Sequence, residues 1–318
     1  MTHTPLPAVT LGESMGLIRA DTIGSLAQVS DLQLSFGGAE SNVAIGLARL
    51  GVPVRWLGRV GADSIGRRIV RELRAENVGV NAIEDNSAPS GLMLKERPSA
   101  GTTAVNYYRA GSSGSRLQPS DLAALDIPSA GLLHVTGITL AISDTARDTV
   151  HAAIDLAVQV GVPVSFDVNH RSRLWTRVES AAVAYREVIQ RATIVFAGED
   201  EAALVVGEGS AESLAEKLAR LGPREVIVKR GAEGCVAWVD GVMVTRQAIG
   251  VDVIDTVGAG DAFVAGYLAE KLLGSPLSTR LTTAVIAGAA ACTQPGDWEG
   301  AVFRRELAGY GIGDPVRR

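Results

Sequence analysis

The sequence has few cysteines and no excess of basic residues. Its two cysteines, Cys235 and Cys292, lie far apart in the 318 residues, which argues against a disulfide framework or a cysteine metal site. Asp and Glu number 35 against 30 Lys and Arg, which gives a formal net charge of −5. We therefore expect no nucleic-acid partner, because such a partner would require a basic surface.

Targeting and membrane-spanning signals are also missing. No cationic segment followed by an apolar run opens the chain, and the richest apolar run, residues 284–292, is far too short to cross a bilayer. Hydrophobic residues make up 47% and charged residues 20%, as is typical of globular proteins. We expect a cytoplasmic protein with no membrane partner.

What the sequence does contain is a regular alternation of short apolar runs and longer amphipathic stretches. This alternation predicts an α/β fold, with a mainly parallel sheet covered by helices on both faces. The strand candidates are residues 7–13, 54–61, 131–137, 162–169, 192–198 and 225–231, and the helix candidates are residues 41–51, 64–78, 144–160, 176–191 and 210–222.

Two segments interrupt the alternation. Residues 15–35 lack helical periodicity, and residues 81–111 contain two stretches that read as antiparallel hairpin strands. Small β-elements inserted into an α/β core can close over a reaction site as a lid, or simply cover a sheet edge. From the pattern alone both interpretations stay open.

Residues 255–263, DTVGAGDAF, raise a similar choice at the start of a helix. The backbone amides of Gly258, Ala259 and Gly260 can cradle an anion at the helix N-terminus, with Asp261 beside them as a base. Alternatively the glycines only turn the chain and Asp261 stabilises the helix dipole. This stretch is neither a GxxxxGK[ST] phosphate loop nor a GxGxxG dinucleotide fingerprint.

Other polar residues lie where strands are expected to end or helices to begin. Gly37, Gly38 and Asn42 precede or open a helix, as caps or as ligands of substrate hydroxyls. Tyr107 and Arg109 share one face of a strand, and Arg171 follows another strand, so the two arginines are candidates for binding a carboxylate.

Acidic residues and a glycine turn complete the set of candidates. Glu201 is the last of three acids that begin a helix, where it either serves the dipole or holds water around Mg²⁺ together with Asp167. Gly231 and Gly234 either form a hairpin or let a nucleotide lie against the backbone.

In combination, these motifs resemble the ribokinase-like (PfkB) family of carbohydrate kinases. GGAESN, GADSIG, KRGAEG and DTVGAGDAF occur in the family's order and cover essentially the whole chain. Within the family, YYRAGSSGS and FDVNHRSRLW are similar to 2-keto-3-deoxygluconate kinases, whose substrate carries a carboxylate.

The resemblance implies a fold and an activity. The fold would be a single ribokinase-like domain over residues 1–318, a three-layer sandwich with a β lid from about 15–35 and 81–111. The activity would be ATP-dependent phosphorylation of a primary hydroxyl of a sugar or sugar acid, with Mg²⁺ as cofactor. A homodimer formed through the lid is implied as well.

The resemblance also implies a role for each candidate residue. Asp261 would be the catalytic base, and Gly258, Ala259 and Gly260 the anion hole. The substrate would contact Gly37, Gly38, Asn42, Tyr107, Arg109, Arg171, Asp261 and Asp297. ATP would contact Asn169, Arg171, Lys229, Gly231, Gly234, Gly258 and Gly260, while Glu201 would reach Mg²⁺ through water.

Three positions depart from the family pattern. Gly198 replaces a polar residue expected near the phosphates, Met93 stands where a close relative can carry Tyr, and Val285 replaces a polar residue near the adenine. A fructokinase or ribokinase-type enzyme for a neutral sugar is the first alternative. A non-catalytic sugar-binding protein with the same fold is the second.

Overall fold

The computed structural model describes residues 5–20, 22–99 and 102–310. Its strands are β1 (Ala8–Leu11), β2 (Met15–Ala20), β3 (Leu32–Gly37), β4 (Val54–Gly61), β5 (Gly79–Asp85), β6 (Leu92–Ser99), β7 (Thr102–Tyr108), β8 (Leu132–Thr136), β9 (Val164–Asp167), β10 (Ile194–Gly198), β11 (Glu225–Lys229), β12 (Cys235–Val239) and β13 (Val242–Arg246). Its α-helices are α1 (Ala39–Arg49), α2 (Ser64–Ala75), α3 (Gly137–Ile142), α4 (Asp144–Val160), α5 (Val178–Ile189), α6 (Glu199–Val206), α7 (Ala211–Ala219), α8 (Ala259–Leu272) and α9 (Leu277–Ala291).

Nine strands form the central sheet, in the order β13-β12-β11-β10-β9-β8-β1-β4-β5. The six pairs from β11 to β5 are parallel, and the two pairs that involve β12 are antiparallel. Central strands such as β8 are buried at every position, because helices cover both of their faces. The predicted mainly parallel α/β fold is confirmed.

Each face of the sheet carries its own apolar core. On one face the core includes Val150 of α4 and Tyr185 of α5, and on the other Val43 of α1 and Phe263 of α8. Side chains along β10 alternate between the two cores, as the period of two requires. The result is the three-layer arrangement of helices, sheet and helices that the sequence predicts.

A second sheet has four strands in the order β3-β2-β6-β7. Its strands come from the two segments predicted to form a lid, but the boundary of the second segment needs correction. Residues 81–85 belong to β5, which pairs with β4 at the edge of the central sheet. Because this edge strand is only half-buried, its sequence lacks the apolar run that marks the inner strands. Three residues of the predicted lid, Asp21, Ala100 and Gly101, lie outside the described residues.

The helix bounds differ little from those expected. α4 matches the predicted residues 144–160, with the Ser143 side chain capping its start and Gly161 in the left-handed conformation at its end. α1 begins two residues earlier than expected, at Ala39 directly after the glycine pair. Among the described residues, no helix is both long and apolar enough to span a membrane.

Candidate active site

Polar residues converge at the carboxyl ends of the parallel strands, opposite the beginning of α8. Asp167 ends β9 and Lys229 ends β11, and Lys229 Nζ lies 2.8 Å from both carboxylate oxygens of Asp167. Ligands of open α/β sheets bind beyond these strand ends, where no backbone blocks access. The sheet therefore places this edge, and the first turn of α8, at the candidate site.

The turn before α8 accepts only glycine at residue 258. Gly258 has a φ of 78°, and a Cβ atom there would lie 1.8 Å from the main-chain oxygen of Asp297. Gly258 is the N-cap of the helix, so the amides that follow in the first turn have no intrahelical acceptor. These amides and the helix dipole are suited to an anion.

Asp261 lies in that first turn and is held by two asparagines. Asn42 Nδ2 donates to Asp261 Oδ2 at 2.8 Å, and Asn169 Nδ2 donates to Oδ1 at 3.4 Å. Burial raises the pKa of Asp261 to about 6, although the Asn42 hydrogen bond and the charges of Arg171 and Lys229 oppose the rise. A carboxylate with this pKa is mostly ionised at neutral pH and is a stronger base than a solvated one.

Two cavities meet beside Asp261. The first, which we call the polar cavity, has a volume of 360 Å³. Its lining comprises Met93, Lys95, Val105, Tyr107, Asp167, Asn169, Arg171, Lys229, Thr256, Val257, Gly258, Gly260, Asp261 and Asp297. The second, the apolar cavity, has a volume of 440 Å³, and it shares Lys229, Thr256 and Gly260 with the first. Both volumes are in the range of small-molecule sites.

The apolar cavity contains the glycine turn and the α9 residues singled out in the sequence. Its remaining lining residues are Gly231, Ala232, Gly234, Ala248, Ile249, Gly250, Val251, Val253, Ala259, Phe263, Val285, Gly288, Ala289 and Cys292. Val285 thus contributes an apolar wall at the position where a polar residue was expected. A flat aromatic ring such as a nucleobase fits such a lining, because most of its contacts are apolar.

The glycine pair before α1 lies against Asp297. A Cβ atom on Gly37 would come within 2.1 Å of Asp297 Oδ2, so glycine is needed for this close approach. The amide of Gly38 donates to Asn42 Oδ1 at 3.3 Å, which orients the asparagine that contacts Asp261. The glycine pair and Asn42, separated from Asp261 by more than two hundred residues, therefore belong to one site.

Asp297 itself is a buried carboxylate at the polar cavity. Burial raises its pKa to about 7, against the opposing charge of Lys95. Among the described residues, none donates a hydrogen bond to Asp297 Oδ1. Its unsatisfied oxygen fits a ligand hydroxyl, since buried polar atoms normally have a partner.

The two candidate arginines differ in a way that the sequence does not indicate. Arg109 does not line the polar cavity; its Nε donates to Glu13 Oε2 at 2.8 Å, and its Nη2 forms an ion pair with the same oxygen. Arg171 lines the cavity and is exposed, and no carboxylate of the described residues forms an ion pair with it. Of the two candidate arginines, Arg109 is therefore half-buried with its charge offset by Glu13, whereas Arg171 is exposed and forms no ion pair within the described residues.

Glu201 is engaged by the backbone. Its Oε1 accepts a hydrogen bond from the His170 amide at 2.8 Å, and its Oε2 accepts one from the Gly198 amide at 2.7 Å. Within residues 5–20, 22–99 and 102–310, no group of three or more His, Cys, Asp or Glu side chains could hold a metal ion. This donor set fits Mg²⁺ bound mainly by water and nucleotide phosphates, with acidic side chains only nearby.

Three residues at the site, Glu13, Lys95 and Asp255, were not predicted from the sequence. Glu13 is buried and binds Arg109 and Ser112. Lys95 is buried and forms an ion pair with Asp255. The strand pattern could have identified Lys95, because a period of two places it on the same strand face as Met93. A charged group on such a face needs a partner. Glu13 gave no comparable signal, since its partners are about a hundred residues away.

The fold agrees with comparisons to known proteins. A model of the pfkB family of carbohydrate kinases matches residues 7–301. The 2-dehydro-3-deoxygluconokinase of Bacillus subtilis (strain 168) is 34% identical over 96% of this chain and 95% of its own length. A fructokinase of Klebsiella pneumoniae is 33% identical over 93% of this chain and 96% of its own. The crystal structure of a PfkB protein from Polaromonas sp. JS666 is 33% identical, with a TM-score of 0.87 over 95% of this chain and 99% of that one.

Asp261 is expected to cost stability when it is ionised. Its folded-state pKa of about 6 lies above the unfolded value, so the cost is absent below about pH 4, grows as the pH rises and is complete above the folded pKa. The Asp261→Asn variant lacks this cost, so its free energy of unfolding relative to the wild type should rise by about 1 to 3 kcal/mol between pH 4 and pH 8. Urea unfolding from pH 4 to pH 8 measures the difference. A gain that is equal at every pH would contradict the assignment.

Proposed function

The chain belongs to the pfkB family of carbohydrate kinases, and on that premise we propose that it transfers the γ-phosphoryl group of ATP to 2-keto-3-deoxygluconate (2-dehydro-3-deoxygluconate), forming the 6-phosphate. The observation that carries the proposal is the position of Asp261 where the polar and apolar cavities meet. A sugar acid in the polar cavity and a nucleotide in the apolar cavity would bring hydroxyl and γ-phosphate together at this carboxylate.

The mechanism follows from the residues around that point. Asp261 accepts the proton of the primary hydroxyl as the hydroxyl oxygen attacks the γ-phosphorus and the bond between that phosphorus and the β,γ-bridging oxygen breaks, releasing ADP. The Asn42 hydrogen bond fixes the orientation of the carboxylate. The amides of the Gly258–Gly260 turn stabilise the charge that spreads over the phosphoryl oxygens. Mg²⁺, when bound with the nucleotide near Glu201 and Asp167, supplies further neutralisation of the phosphate charge.

The substrate class depends on Arg171. Within the described part of the chain, Arg171 lines the polar cavity without an ion pair, whereas the charge of Arg109 is offset by Glu13. An unpaired guanidinium forms a stronger, charge-assisted hydrogen bond with a carboxylate than with the hydroxyl of a neutral sugar. This supports a sugar acid over fructose or ribose, whereas percent identity does not discriminate between them, since the 2-dehydro-3-deoxygluconokinase is 34% and the fructokinase 33% identical.

The residues that the second sheet contributes to the polar cavity support its proposed role as a lid. Met93, Lys95, Val105 and Tyr107, from β6 and β7, line the polar cavity together with Asp261. A sheet in this position excludes water from the reacting groups. The non-catalytic alternative is disfavoured, because a binding protein has no need of a buried carboxylate with a raised pKa beside an anion-binding turn.

The first test combines substrate identity with the role of Asp261. In a coupled ADP-release assay, the wild type should phosphorylate 2-keto-3-deoxygluconate faster than its galactonate epimer, fructose or ribose. Asp261→Asn should lower kcat by about 10²- to 10⁴-fold, because general-base catalysis contributes about that factor. Circular dichroism should show an unchanged fold. Near-normal turnover by the variant would rule out the assignment of the base, and turnover of neutral sugars alone would rule out the sugar acid.

A second test isolates Arg171. Arg171→Met should raise the KM for 2-keto-3-deoxygluconate by about 10- to 100-fold, as expected for the loss of a hydrogen bond between charged groups, and leave the KM for ATP unchanged. Arg173→Met is the matched control, because Arg173 is exposed on the same loop but does not line the cavity. A rise in the KM for ATP instead would place Arg171 against the nucleotide phosphates.

We also propose a homodimer through the second sheet. On the outer face of this sheet, the exposed fractions of Leu32, Leu34 and Tyr108 are 48, 41 and 63%. Leu34 lies in register with Ile18, and Ile18 with Leu94, so the apolar face spans three strands. Light scattering should find a dimer for the wild type and a monomer for Leu34→Glu. Val183→Glu, at an exposed position of α5, should remain dimeric. A monomeric wild type would refute this interface.

A further inference from the structure

A buried lysine connects the second sheet to the turn that precedes α8. Lys95 lies on β6, is 4% exposed, and forms an ion pair through Nζ with the carboxylate of Asp255, which is also buried. Met93 and Val105, on the same face of the sheet, are apolar, and Arg19, in register with Lys95 on β2, adds a second cation. An ammonium group in such surroundings is costly unless it is paired, so the ion pair binds the two layers to each other.

Asp255 also accepts hydrogen bonds from two segments of the site. Its Oδ1 accepts a hydrogen bond from the Val257 amide at 3.2 Å, in the turn that leads to Gly258. Its Oδ2 accepts one from the Gly296 amide at 3.3 Å, next to Asp297. The two segments also meet where the main-chain oxygen of Asp297 approaches Gly258. One carboxylate therefore fixes both the anion-binding turn and the loop that carries Asp297.

The positive charge of Lys95 also offsets negative charge in the polar cavity. The polar cavity contains the carboxylates of Asp261 and Asp297, and a transferring phosphoryl group would add further negative charge. Lys95 also lines this cavity, and its ammonium lowers the pKa of Asp297 against the effect of burial. A neutral side chain of similar length would fill the space without offsetting these charges.

We propose that Lys95 is a positioning residue for phosphoryl transfer, which acts through Asp255 to hold the Gly258 turn and Asp297 in the reactive arrangement. This inference rests on the proposed kinase function. It requires that loss of the ammonium slow the chemical step, not merely weaken the fold. Binding of ATP should be unaffected, because Lys95 does not line the apolar cavity.

The test compares Lys95→Met with Lys271→Met. Lys271 forms an ion pair of 2.7 Å with Glu225, and neither residue lines the two cavities. Lys95→Met should lower kcat by about 10- to 100-fold, the cost of a small misplacement of reacting groups, and leave the KM for ATP unchanged. Lys271→Met should affect only the unfolding temperature. A kcat unchanged in both variants would overturn the inference.

A double variant separates positioning from stability. Lys95→Met leaves a buried carboxylate unpaired, and adding Asp255→Asn removes that charge, so the unfolding temperature should recover relative to Lys95→Met. The kcat should stay low, because the ammonium is still missing. If kcat recovers together with the unfolding temperature, Lys95 has only a structural role.

The outcomes also distinguish this inference from the function on which it rests. A wild type that phosphorylates none of the four sugars overturns the proposed function and this inference with it. A wild type that turns over 2-keto-3-deoxygluconate, with equal kcat in Lys95→Met, overturns the inference alone. The unfolding measurements test the coupling of Lys95 with Asp255 in either case.

Discussion

The site depends on the close approach of Gly258 to the main-chain oxygen of Asp297. No side chain fits between them, and the left-handed backbone at residue 258 directs the chain into α8. This contact fixes where the first-turn amides point and where Asp261 lies relative to Asn42. It also holds the loop after α9 against the start of α8, which fixes the position of Asp297 relative to Asp261.

Electrostatics sets the second constraint, since the carboxylates of Asp167, Asp255, Asp261 and Asp297 lie close together. Lys229 forms an ion pair with Asp167, and Lys95 forms one with Asp255, whereas Asp261 and Asp297 have no ion-pair partner among the described residues. The pKa values of Asp261 and Asp297 are raised to about 6 and about 7, and that of the paired Asp167 also rises to about 6, with burial as the main cause in each. Burial thus keeps these three carboxylates basic at a cost in stability, whether or not a lysine is paired with them.

The sequence predicts the features that arise from local pattern. The alternation of strands and helices, the bounds of α4 and the glycine turn at DTVGAGDAF follow from periodicity and from the few residues that tolerate such turns. β5 was assigned to the wrong sheet because an edge strand lacks a continuous apolar run. The partners of Arg109 and Lys95 could not be predicted, since each ion pair joins segments from 96 to 160 residues apart, brought together only by tertiary packing.

The pairing of Arg109 with Glu13 changes how substrate choice is understood. Glu13 lies against Gly91 and Gly114, where a Cβ atom would come within 2.8 Å of its side chain, so the carboxylate has little freedom to move. The Glu13 carboxylate offsets the charge of Arg109 and accepts a hydrogen bond from its Nε. The guanidinium is thereby fixed beside Tyr107 as a hydrogen-bond donor. Under the proposed function, discrimination between a sugar acid and a neutral sugar would then fall to Arg171, an exposed cation on a loop. Such a loop can change during evolution without disturbing the buried carboxylate of Asp261, so enzymes with this fold can keep a buried carboxylate and an anion-binding turn while differing in substrate.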